Sequence, residues 1–86
     1  MSEPPRLTLY SKPGCHLCDR MKDVIESVRT RMPLTIDVVD ISTKQDLMDL
    51  YGLEIPVLLI DGRKAAKYRV TEGELEEKLR RNKGPA

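Results

Sequence analysis

Arg6-Leu7-Thr8-Leu9-Tyr10-Ser11-Lys12-Pro13-Gly14-Cys15-His16-Leu17-Cys18 decides the fold, because a strand, a break and a helix start follow one another along it. Arg6 to Tyr10 alternates polar and apolar residues, the period of a half-buried strand. Ser11-Lys12-Pro13-Gly14 interrupts that pattern. Leu17, Met21, Val24, Ile25, Val28 and Met32 then recur at three- and four-residue steps, which places them on one helical face. Arg20, Lys22, Asp23, Glu26 and Arg29 fall elsewhere on that helix, as a solvated surface. Pro33 ends it, since the residue before a proline is pushed out of the helical region.

Outward from this unit, residues 34–41 are β-branched and mostly alternating, a second strand. Ser42 with Gln45 reads as a capping box opening a short helix that turns Leu47, Leu50 and Tyr51 inward. Gly52 suits a left-handed helix end. Pro56-Val57-Leu58-Leu59-Ile60 is a continuous apolar run, a strand buried on both faces. Asp61-Gly62 signals a tight hairpin, with Arg63 to Tyr68 as the returning strand. Thr71 with Glu74 forms a second capping box, and Leu75 and Leu79 give the last helix its apolar stripe, with a stop near Gly84-Pro85. The predicted class is α/β in the order β-α-β-α-β-β-α, a four-stranded mixed sheet flanked by three helices. A strand–helix–strand start implies a parallel pair with a right-handed crossover.

Eighty-six residues are enough for one domain, with an ordered core over about 6–82 and frayed ends at 1–5 and 83–86. With 40% hydrophobic residues, 34% charged and a net charge of +1, the chain fits a soluble globular domain. It lacks the concentrated basic face of a nucleic-acid binder and any apolar run near the roughly 20 residues that span a bilayer. A monomer with neither nucleic acid nor membrane as partner is expected. There is no Phe or Trp, so aliphatic residues, methionine and tyrosine must build the core. No signal peptide is visible in Met1-Ser2-Glu3-Pro4-Pro5, which makes a reducing cytoplasmic setting the expectation. In that setting two close cysteines are reactive or metal-binding more often than structural.

Cys15 and Cys18 lie at the start of the first helix, where unsatisfied N–H groups and a partial positive charge favour an anion. Lys12 and a protonated His16 are nearby cations that would lower the thiol pKa of Cys15 further. Cys18 lies almost one turn on, close enough to close a small disulfide with Cys15. That supports a two-step exchange in which Cys15 attacks a disulfide and Cys18 resolves the mixed disulfide, with no metal or organic cofactor beyond an electron donor. Two other classes stay open: a non-catalytic module holding a metal or iron–sulfur cluster between two chains, and a redox sensor or adaptor. A zinc site within one chain lacks ligands, because His16 is the only histidine and no third cysteine exists.

The stretch from Tyr10 to Cys18, the Tyr51-to-Leu58 segment around Pro56 and the Asp61-Gly62 turn together resemble glutaredoxins, in order, from residue 6 to about 82. The resemblance implies a thioredoxin fold, Cys15 as nucleophile and Cys18 as resolving thiol. It also implies a cis bond before Pro56 facing the cysteines, and an Ile55 backbone that pairs with an extended substrate. Lys12 matches a glutathione-contacting lysine, with Glu72 or Arg69 as further candidates, so glutathione or a thioredoxin-type reductase becomes the candidate electron donor. The substrate would be a protein or small-molecule disulfide. Two departures stand out. His16-Leu17 replaces the Pro-Tyr usual between the cysteines, and Leu17 belongs to the core stripe or to an apolar rim around Cys15. Tyr68-Arg69-Val70-Thr71-Glu72 lacks the Gly-Gly pair of glutathione-binding members. The chain is similar to a small subgroup with a Gly-Cys-His-Leu-Cys segment.

Overall fold

The computed structural model describes residues 3–82 and has the β-α-β-α-β-β-α order. Strand β1 (Arg6–Ser11) leads into helix α1 (His16–Arg29), then β2 (Thr35–Asp40), a single 3-10 turn (Ile41–Thr43) and α2 (Gln45–Tyr51). Strands β3 (Val57–Ile60) and β4 (Arg63–Lys67) form the hairpin, and α3 (Glu72–Asn82) follows. The sheet runs β2-β1-β3-β4. β1 pairs parallel with β2 and antiparallel with β3, so the strand that carries the cysteine loop is internal. β4 pairs antiparallel with β3, with an irregularity between Leu58 and Leu59. At the hairpin tip Asp61 and Gly62 both have positive φ, 50° and 83°, as a two-residue turn of this twist requires.

Leu7 and Leu9 of β1 and Leu58 and Ile60 of β3 share one face, and α1 and α3 bury it with Met21, Ile25, Val28, Leu75 and Leu79. Each such side chain stabilises by about 1.5–3 kcal/mol when fully buried, and this layer holds the fold without Phe or Trp. The opposite face carries Tyr10 and Val57, which are register partners. Helix α2 meets that face through Tyr51, whose ring stacks on Tyr10 at a centroid distance of 4.8 Å.

Several local expectations change. Helix α1 stops at Arg29, before Pro33, because the Thr30 hydroxyl bonds the Ser27 carbonyl (2.6 Å) and the Arg31 and Met32 N–H groups both close on Val28. The Ser42–Gln45 capping box does not form. Asp40 takes both the Ser42 N–H and its hydroxyl, which caps the 3-10 turn instead, and α2 starts from Lys44 with no side-chain cap. Leu50 is 64% exposed rather than inward, since α2 is only seven residues long and touches the sheet through its far end. Gly52 is right-handed, φ −53°, and a Cβ there would lie 2.5 Å from the Met48 carbonyl oxygen; close approach, not a left-handed turn, requires glycine. Pro5 is buried and its carbonyl accepts the Thr35 N–H (3.0 Å), so the lead-in is tied down from that residue. The expected stop near Gly84-Pro85 and the fraying of 1–2 and 83–86 lie outside the described residues. The Thr71–Glu74 box forms reciprocally: the Glu74 N–H donates to the Thr71 hydroxyl and the Thr71 N–H to the Glu74 carboxylate.

Two polar ties were not visible in the sequence. The Arg31 guanidinium bridges Glu72 (2.7 Å) and Glu76 on α3, tying the turn after α1 to that helix. Asp61 accepts the Arg6 N–H (2.9 Å) and an Asn82 amide hydrogen (2.6 Å), joining the hairpin tip to the start of β1 and the end of α3. These bonds hold the Asp61 carboxyl below its ordinary range, the Arg6 N–H first, and Arg31 does the same for Glu72. Such a group stabilises the fold in full above its unfolded pKa, and that contribution is lost as pH falls through the lowered folded value. The urea midpoint should therefore hold from about pH 7 to about pH 5 and drop below about pH 4. Asp61→Asn, which tolerates positive φ, should start from a lower midpoint at neutral pH and fall less steeply; equal slopes would remove Asp61 from this account.

Candidate active site

The last residue of β1, Ser11, passes through the Lys12-Pro13-Gly14 turn to Cys15, which is the N-cap of α1. Gly14 takes φ +81° at that turn, a conformation side chains rarely adopt. Cys15 is extended (φ −92°, ψ 107°), and its carbonyl accepts the first helical N–H, from Asp19, at 3.1 Å. Its Sγ accepts the Cys18 N–H at 3.1 Å. A sulfur thus occupies the place that a serine or aspartate oxygen fills at other helix starts. Cys15 is half-buried while Cys18 is 4% exposed. The two are joined as a disulfide.

Pro56 immediately precedes Val57, which pairs with Tyr10, so it sits at the sheet end where β1 gives way to the cysteine loop. Its peptide bond to Ile55 is cis. Pro56 is buried, Ile55 is half-buried, and the Pro56 carbonyl accepts the Tyr68 N–H at 2.8 Å. Lys12 and His16 are both exposed, and neither side chain makes a hydrogen bond or ion pair among the described residues. Leu17 is half-buried and lines a groove of about 340 Å³. Its lining includes Leu17, Arg20, Met21 and Val24 of α1 and Arg69 and Val70 of the segment before α3. Tyr68 and Thr71 complete it. Glu72, a candidate contact in the glutathione comparison, is instead engaged by Arg31. No group of three or more His, Cys, Asp or Glu is arranged to hold a metal among the described residues, and none of their helices is long and apolar enough to cross a membrane.

Tyr68 was expected to end the returning strand, but β4 stops at Lys67 and Tyr68 adopts φ +70°. A left-handed non-glycine residue costs roughly 1–2 kcal/mol. The residue is held there by its N–H bond to Pro56, and the Lys67 ammonium lies 5.3 Å from its ring centroid. The signal in the sequence was the missing glycine pair: a backbone that would favour glycine carries a tyrosine.

The family described as Glutaredoxin-like domain (DUF836) matches residues 6–80. The chain belongs to that glutaredoxin-like family. A solved structure of a protein from X. campestris is 30% identical with a TM-score of 0.76, covering 87% of this chain and 96% of that one. An uncharacterized protein of Mycobacterium tuberculosis is 25% identical over 83 residues, 91% of this chain and 86% of its own length. For the fold alone, a mutant thioredoxin from Halobacterium salinarum superposes with a TM-score of 0.68 at 19% identity, covering 98% of this chain and 79% of that one. The glutaredoxin-like chain therefore has an α/β thioredoxin fold, and its cysteine pair sits at the head of α1 in a form suited to a redox role.

The strain at Tyr68 can be measured. Tyr68→Gly and Tyr68→Ala both remove the ring, but only glycine relieves the left-handed backbone. Glycine should be the more stable of the two by about 1 kcal/mol in urea unfolding; equal stability would mean that position 68 carries no backbone strain.

Proposed function

We propose that the protein is a dithiol thiol–disulfide oxidoreductase with Cys15 as nucleophile and Cys18 as resolving thiol. The observation that carries this is the Cys15 sulfur at the N-cap of α1, half-exposed, accepting the N–H of a buried Cys18. In the reduced protein the same N–H and the helix end favour the Cys15 thiolate. That thiolate attacks one sulfur of a substrate disulfide, forming a mixed disulfide and expelling the other half as a thiolate. Cys18, having lost its proton to solvent, attacks the Cys15 sulfur, closes the internal disulfide and releases the second substrate half. The substrate gains two electrons and the protein loses two. Burial of Cys18 keeps it from external disulfides, so it acts on the adjacent one.

In this reading the exposed Lys12 and His16, close to Cys15 in the chain, assist the thiolate, and Leu17 forms part of the apolar rim. Ile55 makes no backbone hydrogen bond of its own among the described residues, which leaves its N–H and C=O for an extended substrate beside Pro56. Substrates are protein or small-molecule disulfides, and the oxidised pair is reduced by glutathione or by a thioredoxin-type reductase. The missing glycines and the engaged Glu72 weigh against tight glutathione binding.

Cys15→Ser should abolish reduction of a disulfide substrate. Cys18→Ser should accumulate a mixed disulfide on Cys15, visible as added mass that a reductant removes. Turnover by Cys15→Ser at the unmodified rate would sink the mechanism. Recovery of the oxidised protein with glutathione alone, against recovery only with a reductase, assigns the donor.

A further inference from the structure

The groove beside the cysteine pair has a chemistry that the exchange reaction itself does not need. We infer that it seats a polypeptide disulfide substrate, taking an apolar side chain next to the reacting cysteine and pairing acidic side chains beyond it with Arg20 and Arg69. This rests on the dithiol mechanism proposed above. Two of its lining residues tie the groove to the site: Leu17 lies between Cys15 and Cys18 in the chain, and the Tyr68 N–H donates to the Pro56 carbonyl. Its lining is aliphatic apart from the two arginines, Tyr68 and Thr71, and it includes no carboxylate. Elsewhere Arg6, Arg29, Arg31, Arg80 and Arg81 are each matched by an acidic residue of this chain, and Arg63 of β4 is the other arginine without such a partner among the described residues. Arg20 and Arg69 make no ion pair or side-chain hydrogen bond among the described residues. Two unmatched guanidinium groups lining an apolar groove are complementary to an acidic, partly apolar segment.

Tyr68 adds an independent observation. A strained left-handed tyrosine, 43% exposed, stands on the wall of this groove where glycine would relieve the strain. Strain kept at a surface position points to a use for the side chain, and an aromatic wall suits the aliphatic side chain of an incoming peptide.

The test uses blocked tetrapeptides Cys-Leu-Glu-Glu, Cys-Leu-Lys-Lys and Cys-Ser-Glu-Glu, each carrying thionitrobenzoate as a mixed disulfide on its cysteine. Glutathione carrying the same group is a fourth probe. The Cys15 thiolate of the Cys18→Ser protein attacks the peptide sulfur, and thionitrobenzoate leaves as the coloured thiolate, being the weaker base. Rates are divided by those with free 2-mercaptoethanol to cancel intrinsic differences among the probes. The leucyl acidic peptide should react about tenfold faster than its lysine counterpart and about fivefold faster than its serine counterpart. Replacing both Arg20 and Arg69 by alanine should bring the acidic-to-basic ratio to about one, and Tyr68→Gly should shrink the leucine-to-serine ratio. Equal Cys15-dependent rates for all peptides, a ratio unmoved by the double substitution, or fastest reaction with the glutathione probe would overturn the groove assignment while leaving the dithiol mechanism standing. Release no faster than from a protein also lacking Cys15 would refute both.

Discussion

A sulfur at a helix N-cap organises this protein. The Cys15 side chain must meet two demands at once: it accepts the Cys18 N–H as any good cap would, and it is bonded to the Cys18 sulfur. Both demands are met only if the chain leaves β1 extended, turns sharply at Gly14 and enters α1 with Cys15 still outside the helix. The rest of the structure keeps that junction in place. β1 is internal, flanked by β2 and β3, and Leu7 and Leu9 anchor it in the layer shared with α1. Any movement of α1 along β1 would displace the cap, the pair and the groove together.

The second side of the site comes from further along the chain. Antiparallel pairing of β3 with β1 puts Val57 opposite Tyr10, which brings Pro56 to the end of the sheet where the cysteine loop leaves. The Tyr68 N–H then bonds Pro56, and the segment 68–71 comes to face α1 across the groove. α3 stays against α1 through buried Leu75 and Leu79 and through Arg31 with its two glutamates. Polar ties at the far end, centred on Asp61, hold the hairpin tip to β1 and α3. The site is an assembly of three segments that are adjacent only because the sheet order is β2-β1-β3-β4.

Elements with strong periodic signals were legible from residues alone. The stripe from Leu17 to Val28, the apolar run at Val57–Ile60, the Asp61-Gly62 tip and the Thr71–Glu74 box each depend on interactions within a few residues, and each formed. Failures fell where another partner, nearby in the chain or brought in by the fold, outcompeted the pattern that was read. Ser42 looked like a cap, but Asp40 reached it first; Leu50 looked buried, but α2 is too short to turn two faces toward the sheet. Arg31 looked like one more surface charge until α3 arrived beside it. Tyr68 looked like strand until its N–H was taken by Pro56.

By itself the sequence determined the order of elements, the aliphatic core and the placement of two cysteines at a helix start, because periodicity, turn chemistry and capping act over a turn or two of chain. Only the tertiary structure decided that Cys18 is buried while Cys15 is not, that Arg20 and Arg69 line one groove without a partner among the described residues, and that Tyr68 is held left-handed beside them. Those outcomes depend on which side chains from separate strands and helices compete for the same space and the same partners, and the linear pattern does not carry that information.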